Sequence, residues 1–326
     1  MMMNIVRRLM RTAAAAGLAG FTMVASAAWP EKPITILVPY APGGAADLVG
    51  RAVGERMSEV LRQPVLVVNR GGAAGTIATR EVARAPADGY MMVLGTSATH
   101  GTNPSTFKDL NYNAITDFAP VALVSTAPYV VAVPTSLGLN SVRDLVAYAR
   151  ANPGKINYGT PGRGGQTHLV TEYFALQTKT QLQGVHYKGE GPAVIDLVGG
   201  QLQLMIATIP ATASMVAAGK IRLVAISTRK RHPLMPDVPT LIEAGVPDFE
   251  SVSWIALYAP ARTPDAVVRM LNDAVNKGLQ SPALIAAFQK VGTEPAGGSP
   301  EDLARHTATD ISMFKTVAES IKFVPE

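Results

Sequence analysis

From Ile34 onward, short apolar runs alternate with segments whose apolar residues recur every three or four positions. That is the pattern of strands interleaved with amphipathic helices, and it predicts an α/β fold with a largely parallel sheet. Ile34–Pro39 reads as a strand. From about Ala45 a helix follows, with Val49, Val53, Met57 and Val60 on the face expected to meet the sheet. Pro64–Asn69 predicts a second strand, Arg70–Gly72 a turn, Thr76–Arg84 a short helix and Tyr90–Gly95 a third strand. Val121–Val124 and Tyr129–Val133 read as two separate strands parted by Ser125–Pro128, where the chain is expected to cross into a second α/β unit. There the pattern predicts helix Ser141–Arg150 with Ser141 as its N-cap, strand Lys155–Gly159, helix Thr167–Lys179 and strand Leu182–Tyr187. Helix Pro192–Val198, strand Gln201–Thr208, helix Ala211–Ala218 and strand Ile221–Ser227 complete that unit. The return crossing is expected near Ser251–Ala259. Helices Pro264–Leu279, Pro282–Val291 and Pro300–Ser320 then close the chain, each with a proline where a first helical turn tolerates one.

The first residues stand apart from this pattern. Arg7, Arg8 and Arg11 precede an apolar run, Thr12 to Ala25, that ends in Ala-Ser-Ala, which reads as a signal peptide cleaved near Ala27. The run is about 14 residues, short of the ~20 that span a bilayer as a helix. Removing residues 1–27 takes away three arginines and no acid, so the formal charge falls from +5 to 5 − 3 = +2. What remains lacks the clustered basic element of a nucleic-acid binder; the densest cluster, Arg229 to His232, is short. Zero cysteines suits an exported chain whose core is large enough to do without disulfides, and it excludes thiolate metal sites and cysteine nucleophiles.

Glycine turns between strand ends and helix starts offer free backbone N–H groups to a small anion. The turn at Pro42, Gly43 and Gly44 is the first of these. Nucleotide spacing is absent there, at Gly71–Gly75 and at Gly159–Gln166, which has no phosphate-binding lysine. Asp47 stands close to the first turn, where it either caps its helix by accepting backbone N–H groups or touches ligand. No G-x-S-x-G elbow or H-E-x-x-H pair occurs, and the histidines are scattered at 100, 168, 186, 232 and 306. His168 falls in a first helical turn, where supporting the preceding loop by hydrogen bonding is favoured over catalysis. No catalytic set, metal site or cofactor is expected, and the reading that remains is a solute-binding protein.

The motifs WPEKPITILVPYAPGGAAD from Trp29 to Asp47, VVNRGGAAG from Val67 to Gly75 and ADGY from Ala87 to Tyr90 resemble the Bug/TctC family, the substrate-binding proteins of tripartite tricarboxylate transporters. DFAPV from Asp117, YGTPGRG from Tyr158, DLVGG from Asp196 and PDVPTLIEAG from Pro236 continue the resemblance over the mature chain. It implies a two-lobed, type II periplasmic-binding-protein-like fold with a ligand cleft between two α/β domains. Residues 28–125 with 253–326 are expected to form lobe 1, and residues 126–252 lobe 2. In the first lobe the resemblance implies ligand binding by Tyr40, Pro42, Gly43, Gly44, Ala45 and Asp47, with Ser97, Thr99 and Asn103. In the second it implies Thr160, Gly162, Arg163, Gly164, Gln166, Thr167 and His168, supported by Tyr187 and Thr208. Two positions depart from the family pattern: Arg163 stands where many relatives carry a small polar residue, and Gly165 where many carry a hydroxyl. Arg163 therefore either takes a second ligand carboxylate bidentately or lies at the cleft rim.

The resemblance implies a periplasmic, monomeric protein that delivers a small carboxylate or related solute to membrane permease subunits. An alternative use of the same fold is an orphan receptor presenting its ligand to a sensor kinase. An exported enzyme would need a general acid/base constellation in the cleft, and none is assembled by the sequence.

Overall fold

The computed structural model describes residues 29–233 and 235–325; the leader expected at 1–27 lies outside them. Strand β1 (Ile34–Val38) runs parallel to both β2 (Val65–Asn69) and β3 (Met91–Thr96), with helices α1 (Ala45–Leu61) and α2 (Thr76–Ala83) as connections. α1 lies very close to the sheet through two glycines. A Cβ on Gly50 would lie 3.1 Å from Val38 Cγ2, and one on Gly54 3.0 Å from Val67 Cγ2. Val49, Val53 and Met57 are fully buried beneath it. Val60, expected on the same face, is 38% exposed. It sits six residues past Gly54, about 9 Å further along the axis and beyond the part of the helix that covers the strands.

After β3 the chain winds tightly through Ala98–Thr102 into the one-turn helix α3 (Asn103–Thr106), a segment without a sequence signal, and enters β4 (Phe118–Pro134). Then follow α4 (Val142–Ala151), β5 (Ile156–Thr160), α5 (Gln166–Thr178), β6 (Leu182–His186), α6 (Glu190–Val198), β7 (Met205–Thr208), α7 (Ile209–Ala217) and β8 (Ile221–Ile226). Strand β9 (Val252–Pro260), helices α8 (Asp265–Gly278) and α9 (Pro282–Lys290), the two-residue β10 (Glu294–Pro295) and helix α10 (Pro300–Ser320) complete it. Ser141 caps α4 by accepting the Asp144 N–H at 3.1 Å, as its sequence position predicts.

Strand order in the first sheet is β2-β1-β3-β9-β4-β10, with β1 to β3 parallel and β9, β4 and β10 antiparallel to their neighbours. β4 is 17 residues long and belongs to two sheets. Phe118 to Pro128 pair with β9; from Tyr129 on the partners are β7 and β8. The two strands expected here are thus one, and Ser125–Pro128 marks a change of partner instead of a break in the strand. Its prolines fall where the missing N–H is least costly: Pro120 at a register shift, Pro128 at the changeover and Pro134 at the end. β5 and β6 pair in parallel and join β7 through the Gly159 N–H, donated to Leu204 O at 3.2 Å.

Separate clusters of buried side chains lie on the two sheets. Leu37, Val93, Trp254, Tyr258 and Leu303 pack on the first; Tyr158, Phe174 and Phe249 on the second. α10 takes part in both. Thr307 bonds the Tyr258 hydroxyl at 2.6 Å and Asp310 accepts the Trp254 indole N–H at 2.5 Å, whereas Phe314 and Val317 enter the second core.

Candidate functional site

Helices α1 and α5 begin in the same way. Each N-cap is an extended glycine, Gly44 at φ −79°, ψ 169° and Gly165 at φ −70°, ψ 166°, and neither helix has a side-chain cap. The residue before each N-cap is a glycine at positive φ, Gly43 at +86° and Gly164 at +73°, a conformation that costs glycine no Cβ clash. In both, the third helical residue accepts that glycine's N–H: Asp47 Oδ2 from Gly43 at 2.9 Å and His168 Nδ1 from Gly164 at 3.1 Å. These side chains hold the loop and do not cap the helix. The first-turn N–H groups of both helices have no intrahelical acceptor, and the positive end of each dipole lies there.

Asp47 is fixed from a distant strand as well as from its own helix. Asn69 Nδ2 donates to its Oδ1 at 2.9 Å, and Arg51, one turn on, reaches the same carboxylate with Nη2 at 2.9 Å and Nε at 3.2 Å. Burial by itself would raise this carboxyl's pKa; the Gly43 N–H, Arg51 and Asn69 outweigh it and hold the pKa below the usual carboxylate range. Asn69 also donates to Tyr40 O at 3.2 Å, which ties the loop to the end of β2.

Beneath this loop the polar groups of β3 and the wound segment serve one another. Tyr40 Oη is 2.9 Å from Thr96 Oγ1, and Thr99 Oγ1 accepts the Thr96 N–H at 2.9 Å. Asn103 Nδ2 donates to Ala74 O at 3.1 Å. His100 stacks on Tyr258 with ring centres 4.0 Å apart, and burial lowers its pKa to about 3. It is a neutral core residue.

In the second lobe, Thr160 Oγ1 lies 3.0 Å from His186 Nδ1 and donates to Gly162 O at 3.1 Å. Tyr187 donates its hydroxyl to Asp196 at 2.6 Å. Thr208 is gripped through both N–H and Oγ1 by Glu190, at 3.0 and 2.6 Å. Thr99, Tyr187 and Thr208, expected as ligand residues, have protein partners, as do Tyr40, Ser97, Asn103, Thr160 and Gln166. Thr167 Oγ1 differs: at the second position of α5 it is buried with no hydrogen-bond partner. His168 and His186, apart in sequence, meet with ring centres 4.8 Å apart. Burial, with His186 and Arg163 adding to it, lowers the His168 pKa to about 4, so its ring is neutral and Nδ1 is free to accept from Gly164. Among the described residues no group of three or more metal-ligating side chains is brought together.

Two side chains decide how the loops meet. Gln166 accepts from Ser97 Oγ with Oε1 and donates to Val252 O at 3.1 Å, joining the start of α5 to β3 and β9. Arg163 is exposed, with its guanidinium stacked 4.4 Å from the centre of the Phe323 ring. Pro42, Gly43, Gly44 and Ala45 are exposed, and Gly162 is half-buried.

Two α/β lobes joined by β4 and β9, each presenting an uncapped helix start, define the fold of the periplasmic solute-binding proteins. The chain belongs to the TctC family, the tripartite tricarboxylate transporter family receptors, whose profile matches residues 49–323. It is 35% identical over 317 residues to Protein BugT of Bordetella pertussis, covering 97% of each chain. Among solved structures it resembles R. palustris Rpa4515 with adipate, at 38% identity and TM-score 0.74, over 91% of this chain and 100% of that one. It also resembles MatC from Rhodopseudomonas palustris with bound malate, at 31% identity and TM-score 0.70, over 89% and 99%.

Proposed function

We propose that this chain is an exported receptor that closes its two lobes on a small carboxylate, held between the starts of α1 and α5, and passes it to a membrane permease. The observation that carries this reading is the matched pair of glycine-turn helix starts, Gly43-Gly44 before α1 and Gly164-Gly165 before α5, with the buried and unpartnered Thr167 hydroxyl beside the second. Backbone N–H groups at a helix start favour a carboxylate through both hydrogen bonding and the dipole. A buried hydroxyl without a partner is costly and is satisfied by a ligand oxygen. Adipate and malate, the ligands of the two R. palustris relatives, are both dicarboxylates. In this reading the lobes divide as residues 28–125 with 253–326 and residues 126–252, the leader is removed near Ala27, and the receptor works in the periplasm as a monomer. Asp47 and His168 shape the loops from behind.

Thermal unfolding of the refolded mature protein against mono-, di- and tricarboxylates, amino acids and neutral amides tests the reading. A ligand at a hundred times its Kd adds about 2.7 kcal/mol, a shift of several degrees for a chain of this size. Gly44→Val should keep the unfolding temperature, because φ is −79° and a Cβ there meets nothing closer than 4.0 Å, yet lose the ligand shift. A shift with a neutral compound and none with any acid would overturn the carboxylate reading.

A further inference from the structure

Two features of the second loop, the departing arginine at 163 and the positive-φ glycine at 164, converge on one aromatic ring outside the two loops. The Phe323 ring lies under the Arg163 guanidinium, 4.4 Å from its carbon, and Arg163 Nη1 lies 3.5 Å from Val324 O. A Cβ added to Gly164 would stand 2.9 Å from Phe323 Cζ and 3.5 Å from Thr106 Cβ of α3. Phe323 is itself fixed, because the chain turns at Lys322 (φ +51°) and returns the Phe323 N–H to Ala318 O at 2.8 Å. The loop is thus held by the His168 hydrogen bond from α5 and by the segment after α10 through Phe323 and Val324.

We propose that Phe323 is a positioning residue for the ligand site, seating Gly164 and stacking Arg163 so that the loop leading into α5 keeps one shape. The inference rests on the proposed carboxylate function. A long arginine on an exposed loop carries much side-chain entropy, and stacking removes it before any ligand arrives. The stack uses the face of the guanidinium and leaves in-plane N–H groups able to donate, so the ring fixes Arg163 without spending its hydrogen-bonding fork. α10 contributes to both hydrophobic cores, which makes its continuation a fixed reference against which the loop is set.

The test uses the full mature chain with Phe323→Ala, Gly164→Ala and the double variant, read by calorimetric titration with adipate and by amide hydrogen exchange without ligand. Phe323→Ala should speed exchange at residues 162–166, leave α5 and α10 protected, and weaken adipate by up to about fivefold, because the loop order that the contact supplies in advance must then be supplied on binding. Gly164→Ala should weaken adipate more in the wild-type background than alongside Phe323→Ala, because deleting the ring removes the clash while the backbone strain is common to both. Unchanged exchange at 162–166, faster exchange across the whole chain, or strictly additive variants would each overturn the positioning role. If the wild-type protein binds adipate, affinity and exchange test the role together; if it binds another acid of the thermal panel instead, that acid replaces adipate in the titration. If it binds no acid at all, the carboxylate reading falls, and the exchange comparison still decides whether Phe323 orders the loop.

Discussion

Asp47 and His168 perform one task with different chemistry. Each accepts the N–H of the glycine four residues before it, Asp47 as a charged carboxylate and His168 as a neutral imidazole. That neutrality gives the second loop a pH dependence of known sign. The unfolded chain protonates this histidine near 6.5, the folded chain only near 4. Its contribution to stability is therefore complete above pH 6.5 and is lost as pH falls toward 4, at no more than about 1.4 kcal/mol per pH unit. His168→Asn keeps an acceptor in place but cannot titrate, so its urea midpoint should change less between pH 6.5 and 4 than that of the wild type. Parallel curves would show that His168 is not the group responsible. At this scale the sequence made the types legible: a carboxylate and an imidazole just inside two helices, each after a glycine turn. The partners were not, since Asn69 reaches Asp47 across 22 positions and Phe323 reaches Gly164 across 159.

Helix α1 shows what periodicity captures and what it leaves out. The apolar stripe Val49, Val53 and Met57 was readable and is buried. The actual approach to the sheet is set by Gly50 and Gly54, which a hydrophobicity pattern counts as neutral. Gly54→Leu should lower stability by about 1–3 kcal/mol through overpacking against Val65 and Val67, although leucine is the better helix former by up to about 1 kcal/mol. The urea midpoint checks this; an unchanged or raised midpoint would mean that α1 slides away from β2 freely. β4 makes a similar point. Ser125–Pro128 read as a gap between two apolar runs, but a less apolar stretch does not end a strand, and here the ladder changes partners at that place.

For the molecule as a whole, Gln166 links the start of α5 to the end of β3 through Ser97 and to β9 through the Val252 carbonyl. Gln166→Ala removes both hydrogen bonds, each worth about 0.5–1.5 kcal/mol, and leaves the backbone of α5 intact. Solution scattering should then give a larger radius of gyration without ligand, and carboxylate affinity should fall by roughly tenfold. An unchanged radius would place the coupling elsewhere, in β4, β9 and α10.

The sequence by itself determined the alternation of strands and helices, the glycine turns before α1 and α5, and the membership that the order of its motifs carries. Those features are local: apolar period, turn chemistry and helix starts are written in neighbouring residues. Only the tertiary structure decided that β4 is one strand serving two sheets, that Thr99, Tyr187 and Thr208 spend their polar groups on the protein, and that Arg163 lies on Phe323. Each of these depends on which distant segments meet, and contact between segments far apart in sequence is fixed by the packing of the whole chain.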